Sequence, residues 1–280
     1  MKNCIFIVLF LAQFVSSQSN NEICLLVRAD DMASFATANQ ACIDACTKGI
    51  AQSVEVMVPC AWFPEAARLL NENPTIDVGV HLVLTSEWTN CKWRPLTCAK
   101  SLVDEYGYFY PLIWQQKDMP GRSLQEAKWN IGEIEAELRA QIEMAKKCIH
   151  NLTHISTHMG CVEWNDELTA LVEQLATEYG LNWQHESSFE NFPVMNVKKT
   201  DSLEKHIDAF IEALGKLKPG KTYIFIEHPA YNTPEMQTVE QKATDTIGKD
   251  RDNVIKIYTN ERVKNFIKAK GIHLVSYAQL

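Results

Sequence analysis

Hydrophobic and polar positions follow two rhythms along the chain, short apolar runs and longer stretches with a helical repeat. The first run, residues 23–31, ends in the adjacent carboxylates Asp30 and Asp31. A run of this kind predicts a strand buried on both faces of a parallel sheet. A helical pattern follows over residues 34–48, with Gly49 placed to end it. The β-branched run 53–58 predicts a second strand, and Pro64 suits the first turn of a helix reaching about Asn71, closed by Asn73-Pro74. Residues 75–85 form a third strand that carries His81. The rhythm then breaks over residues 86–120, which hold Trp88, Trp93, Tyr106, Tyr108, Phe109, Tyr110 and Trp114. A loop of that length inside a compact domain is usually functional, and so many aromatics argue against disorder.

Ser123 and Glu126 have capping-box spacing, which predicts a helix from there to about Cys148. The fourth strand, residues 151–160, carries His154 and His158, and a period of two puts both on one side with Ser156. Asn165 caps a helix ending at Gly180, and residues 181–185 read as a weak fifth strand. Residues 201–216 are helical, Pro219-Gly220 turns the chain, and a sixth strand leads to His228. Residues 232–252 read as polar loop with some helix. Thr259 caps a helix to Lys270, and Gly271 opens a last strand over 272–277. Seven strands alternating with helices, with no repeat or linker, give an α/β chain folded as a single seven-stranded, TIM-like (β/α) barrel. A doubly wound open sheet is the alternative. No glycine-rich phosphate loop follows the first strand, which counts against a nucleotide-binding version.

Candidate chemistry collects where strands end. Asp30 and Asp31, His81, His158 and His228 come from four strand-like runs, and in a parallel barrel those ends share one face. A single histidine at a strand end is commonly structural, but four ends that each supply Asp or His form a set. Two of the histidines with one of the carboxylates would make a common divalent-metal set, with positions left for water and substrate. Strict alternation would put Asp30 and Asp31 on opposite faces, so the chain has to bend there for both to serve. His154 is open to three readings: a residue supporting the ligands, a substitute ligand, or a filler of the barrel end. His150, His185, His206 and His273 read as structural.

Composition narrows the class. The formal net charge is −8 with no basic patch, so nucleic acid and anionic membrane surfaces are not expected partners. Residues 1–17 resemble a secretory signal, with Lys2, an apolar run over 4–15, then Ser16 and Ser17. The run is too short for a membrane span and no later segment qualifies. The expected chain is therefore secreted or periplasmic, with one domain over residues 18–280. Of the nine cysteines, Cys4 falls in the signal. Cys91 and Cys98 flank a loop and are the best candidates for a disulfide, whereas Cys42 and Cys46, one helical turn apart, read as core.

Arg28-Ala-Asp-Asp31, the run from Asp77 through His81 to Thr85, Arg94-Pro-Leu, the run from Thr153 to His158, and Glu227-His-Pro-Ala-Tyr231 together resemble the YdjC-like carbohydrate deacetylases, the ChbG/HpnK or chitooligosaccharide deacetylase family. The resemblance runs from about residue 23 to 280 with the motifs in family order. It implies a seven-stranded barrel and hydrolysis of N-acetyl groups on amino-sugar oligosaccharides by a metal-activated water. It further implies that Asp31, His81 and His158 hold the metal, that Asp30 is the catalytic acid–base residue, and that His228 assists the leaving group. Ser156 departs from the pattern, which usually has Asp there, so metal binding is expected to change in strength. Trp88, Trp93 and Arg94 are the expected substrate-binding residues, since flat faces stack on sugar CH groups; for any one tryptophan, pinning the long loop is the simpler role. The sugar, the identity of the metal (magnesium or zinc) and the oligomeric state are left open. Two other readings compete: a metal-dependent hydrolase of a phosphoester or a different amide, and a secreted glycan-binding protein on the same scaffold.

Overall fold

The computed structural model describes residues 21–239 and 246–280; the expected export signal, residues 1–17, lies outside them. The strands are β1 (Ile23–Met32), β2 (Ser53–Val56), β3 (Asp77–Leu82), β4 (Leu152–Thr157), β5 (Asn182–Trp183), β6 (Glu190–Asn191), β7 (Lys221–Glu227) and β8 (Ile272–Leu274). They pair in parallel in the order β5-β4-β3-β2-β1-β7-β6, with β8 against the start of β1. Between them run α1 (Ala36–Thr47), α2 (Phe63–Glu72), α3 (Ile131–Cys148), α4 (Asp166–Tyr179), α5 (Leu203–Gly215), α6 (Pro234–Gln237), α7 (Ile247–Tyr258) and α8 (Glu261–Lys270). The path ends at β5 and β6, so among the described residues the (β/α) barrel is incomplete. All residues of β1, β2 and β3 are buried, as strands covered on both faces must be. The parallel sheet gathers the ends of β1, β3, β4 and β7, with Asp31, His81, His158 and His228, on one side.

Three local expectations need correction. The helix expected from Ser123 begins at Ile131, because Asn130 caps it by accepting from the Gly132 and Glu133 amides at 2.8 and 3.2 Å. Ser123 instead donates to Glu126 at 2.7 Å within a turn of the loop, so the capping-box spacing served a turn. Helix α7 overlaps only the end of the stretch read as loop with some helix, residues 232–252, and runs up to Thr259, so Asn260 and not Thr259 caps α8. Cys91 and Cys98 carry free thiols and form no bridge. The long loop is anchored by a carboxylate instead. Glu137 of α3, fully buried, accepts from the Leu96 and Thr97 amides at 3.1 and 2.9 Å and from the Thr97 hydroxyl at 2.7 Å.

Candidate metal and acid–base centre

The backbone at the end of β1 supplies the bend that both aspartates need. Ala29 pairs with Val54 and Met32 with Val56, so β1 advances three residues while β2 advances two. The extra residue is a bulge, which breaks the alternation of side chains. Asp31 sits at φ 65° and Ala33 at φ 83°. Asp tolerates the left-handed region better than most residues, and bonds hold the turn. The Ser34 hydroxyl donates to the Asp31 carbonyl at 2.6 Å, and the Ala33 amide to Asn39 Oδ1 at 2.7 Å.

Asp31, His81 and His158 each point one donor atom into a common space, all within 4.8 Å of one another and all buried. Among the described residues no other set of this kind forms. His158 Nδ1 is 3.1 Å from Asp31 Oδ1, and His81 Nε2 is 3.8 Å from the same oxygen and 3.7 Å from Asp30 Oδ2. The outward nitrogens are held as well. His81 Nδ1 meets Ser156 Oγ at 2.7 Å, and His158 Nε2 meets Glu87 Oε2 at 3.1 Å. One carboxylate and two imidazoles, buried and each braced from behind, fit a divalent ion by donor chemistry and by the outer partners that ligand histidines require.

Charges around the centre are unevenly matched. Burial drives His81 down to about 4, against the pull of Asp30. Burial would also lower His158, but Glu87 and Asp31 outweigh it and lift this histidine to about 10. Asp31 is held well below the usual carboxylate range: burial would raise it, yet His228, His158 and Arg251 overcome that. Arg251 of α7 donates to Asp31 Oδ2 at 2.9 Å. Arg28 grips Asp30 with two bonds, Nε to Oδ1 at 2.7 Å and Nη2 to Oδ2 at 2.8 Å, and also reaches Tyr277 and Glu186. His228 stands across the centre with its side chain 40% exposed and Nε2 3.9 Å from Asp31 Oδ2. Burial lowers it, but the Asp31 charge raises it above the ordinary value, so it retains a proton more readily at neutral pH.

The other expected residues divide. Trp88 lines a cavity of about 430 Å³ together with Phe225, His228, Arg251 and Tyr258, and the Arg251 guanidinium lies 5.6 Å over its ring. Trp93 does not offer a sugar-stacking face: it is buried, its indole N–H donates to the Thr85 carbonyl at 2.7 Å, and its edge meets His158. Arg94 is spent on the loop itself, its guanidinium stacked 4.5 Å over Tyr108, and among the described residues no contact joins it to the centre. His154 is no ligand; it is fully buried, with Nε2 on Glu55 Oε1 at 2.8 Å and its ring stacked on Tyr277. Sequence reasoning missed Glu55, Glu87, Arg251 and Tyr277, and took no role from Arg28 beyond its place in a motif. Of these only Arg28 lies inside a motif; Glu87, six residues beyond His81, falls in the long loop after the motif run ends at Thr85.

The fold and this site define an α/β barrel whose mouth gathers two aspartates and three histidines. The sequence model of the YdjC-like protein family matches residues 24–269, and the chain belongs to that family. A carbohydrate deacetylase of Brevibacillus brevis is 27% identical over 266 residues, covering 91% of this chain and 99% of its own length. A chitooligosaccharide deacetylase of Yersinia enterocolitica is 27% identical over 267 residues, covering 91% and 98%. The crystal structure of an Enterococcus faecalis protein, proposed to act in cellobiose-phosphate cleavage, superposes with a TM-score of 0.71 at 24% identity, covering 92% of this chain and 98% of that one; it shows the same fold.

Proposed function

We propose that this protein is a metal-dependent carbohydrate deacetylase that removes N-acetyl groups from amino-sugar oligosaccharides of the chitooligosaccharide class. The observation that carries the reading is the convergence of Asp31, His81 and His158, with Asp30 beside them and His228 opposite. The names of the Brevibacillus and Yersinia relatives support the substrate class. Asp31, His81 and His158 would hold the ion, which supplies Lewis acidity to a carbonyl and lowers the pKa of water. Arg28 fixes both oxygens of Asp30, so this carboxylate is placed to accept the proton of the attacking water. His228 hands its proton to the departing sugar amine as the C–N bond breaks, releasing acetate. The cavity lined by Trp88 and Tyr258 gives a sugar ring room beside His228. The apolar segment within residues 1–17 supports action outside the cytoplasm.

Acetate release from N-acetylglucosamine oligomers, measured after chelation and again with added zinc, magnesium or cobalt, tests the reading. Release that disappears on chelation and returns with an ion is expected. A protein that binds the ion yet frees no acetate from any N-acetylated oligosaccharide would overturn the substrate assignment.

A further inference from the structure

His81 depends on a carboxylate it never touches. Its Nε2 faces Asp30 and Asp31, so the proton of the neutral ring belongs on Nδ1, which donates to Ser156 Oγ at 2.7 Å. A hydroxyl has one proton to give and two lone pairs. Having accepted from His81, Ser156 donates its own O–H to Glu55 Oε2. Glu55 is fully buried on β2, and its other oxygen accepts from Ser53 Oγ at 2.9 Å and His154 Nε2 at 2.8 Å. His154 is in turn set by Thr153, at 2.7 Å from Nδ1, and by the stacked Tyr277 ring 4.0 Å away. The chain of bonds therefore runs from the barrel interior to the centre, crossing β2, β3 and β4.

The space for it is reserved. A Cβ on Gly79 would stand 2.1 Å from Glu55 Oε2 and 2.4 Å from His154 Nε2, so any larger residue there would push both groups aside. A buried carboxylate is costly unless its lone pairs are satisfied, and this one is matched on both oxygens. Nothing in the acid–base chemistry uses Glu55 or His154, yet both are at zero exposure in the strand layer directly beneath the ligands.

We propose that Glu55, acting through the hydroxyl of Ser156, is the positioning residue that fixes the tautomer and ring orientation of His81 for metal binding. The proposal rests on the metal reading of Asp31, His81 and His158. Outer partners of ligand histidines are typically worth about 10- to 100-fold in metal affinity. Zinc affinity by titration calorimetry and the visible spectrum of the cobalt-loaded protein supply readouts independent of turnover. Glu55→Gln and Ser156→Ala should each weaken zinc binding by about 10- to 100-fold and alter the cobalt spectrum. Position 156 is where a carboxylate could serve His81 without a relay. Ser156→Asp in the Glu55→Gln background should therefore recover most of the lost affinity, whereas Ser156→Asp alone sets two carboxylates together and should gain nothing. A purely structural role predicts the opposite, a double variant worse than either single. Native zinc affinity in folded Ser156→Ala, or no recovery in the double variant, would overturn the relay, and Ser156→Ala decides if Glu55→Gln does not fold. A wild-type protein that takes up neither zinc nor cobalt would sink the metal reading first, and the relay with it.

Discussion

The pair Arg28–Asp30 offers the sharpest test of how the centre is built. Both side chains are 4% exposed and joined by two hydrogen bonds, so neither charge has water to fall back on. Removing one partner of a buried pair costs about 3–5 kcal/mol, because the other charge is left uncompensated. Arg28 also meets Glu186, but that side chain is 52% exposed and screened, so its loss adds little. Arg28→Met and Asp30→Asn should then each lower the melting temperature by on the order of 10 °C, at about 2–4 °C per kcal/mol for a domain of this size. The double variant replaces both members and should lose much less than the sum. Independent sites add within about 0.5 kcal/mol, so a coupling of about 2 kcal/mol or more is the expected signature. Urea denaturation of the wild type, both singles and the double measures it. Turnover should fall by about 10² to 10⁴ in both singles, since Arg28→Met leaves the proton acceptor unaimed and Asp30→Asn removes it. Additive stability losses, or near-normal turnover in Arg28→Met, would refute the claim that Arg28 aims Asp30.

Two further outcomes are expected. In the chelated protein His158, raised to about 10, contributes stability that is complete below about pH 6.5 and is lost as pH climbs through 10, whereas His81, lowered to about 4, costs stability as pH falls from about 6.5 toward 4. Thermal melts of the metal-free protein should therefore peak near pH 6.5, and zinc affinity should rise about tenfold per pH unit between 6 and 8 as the ion displaces the His158 proton; a flat affinity profile would remove His158 from the ligand set. His228→Ala should retain zinc, because this side chain only faces Asp31 at 3.9 Å, while acetate release falls and its alkaline limb weakens. Loss of the ion in that variant would make His228 a ligand and not a proton donor.

The strands that end in Asp31, His81 and His158 were legible from the chain because each is local: a short strand-like run with Asp or His at its end. The same locality marked the helix stops at Gly180 and Gly271, both left-handed in the structure. It misplaced the start of α3, where a capping-box spacing closed a turn while Asn130 capped the helix. The bend at Asp31 was required by the chemistry but written in no residue pattern, since a bulge is decided by how β1 registers against β2. The partners that tune the centre are more distant still. Glu87 lies 71 positions from His158, Glu55 101 from Ser156, Arg251 220 from Asp31 and Tyr277 249 from Arg28. A buried charge is matched by whichever opposite group the fold carries to it, and that choice is made in space. Residue type and period therefore identified the donors, and the packing of β2, α7 and the C-terminal turn around them decided which donors are braced, which are charged and which tryptophan faces the cavity.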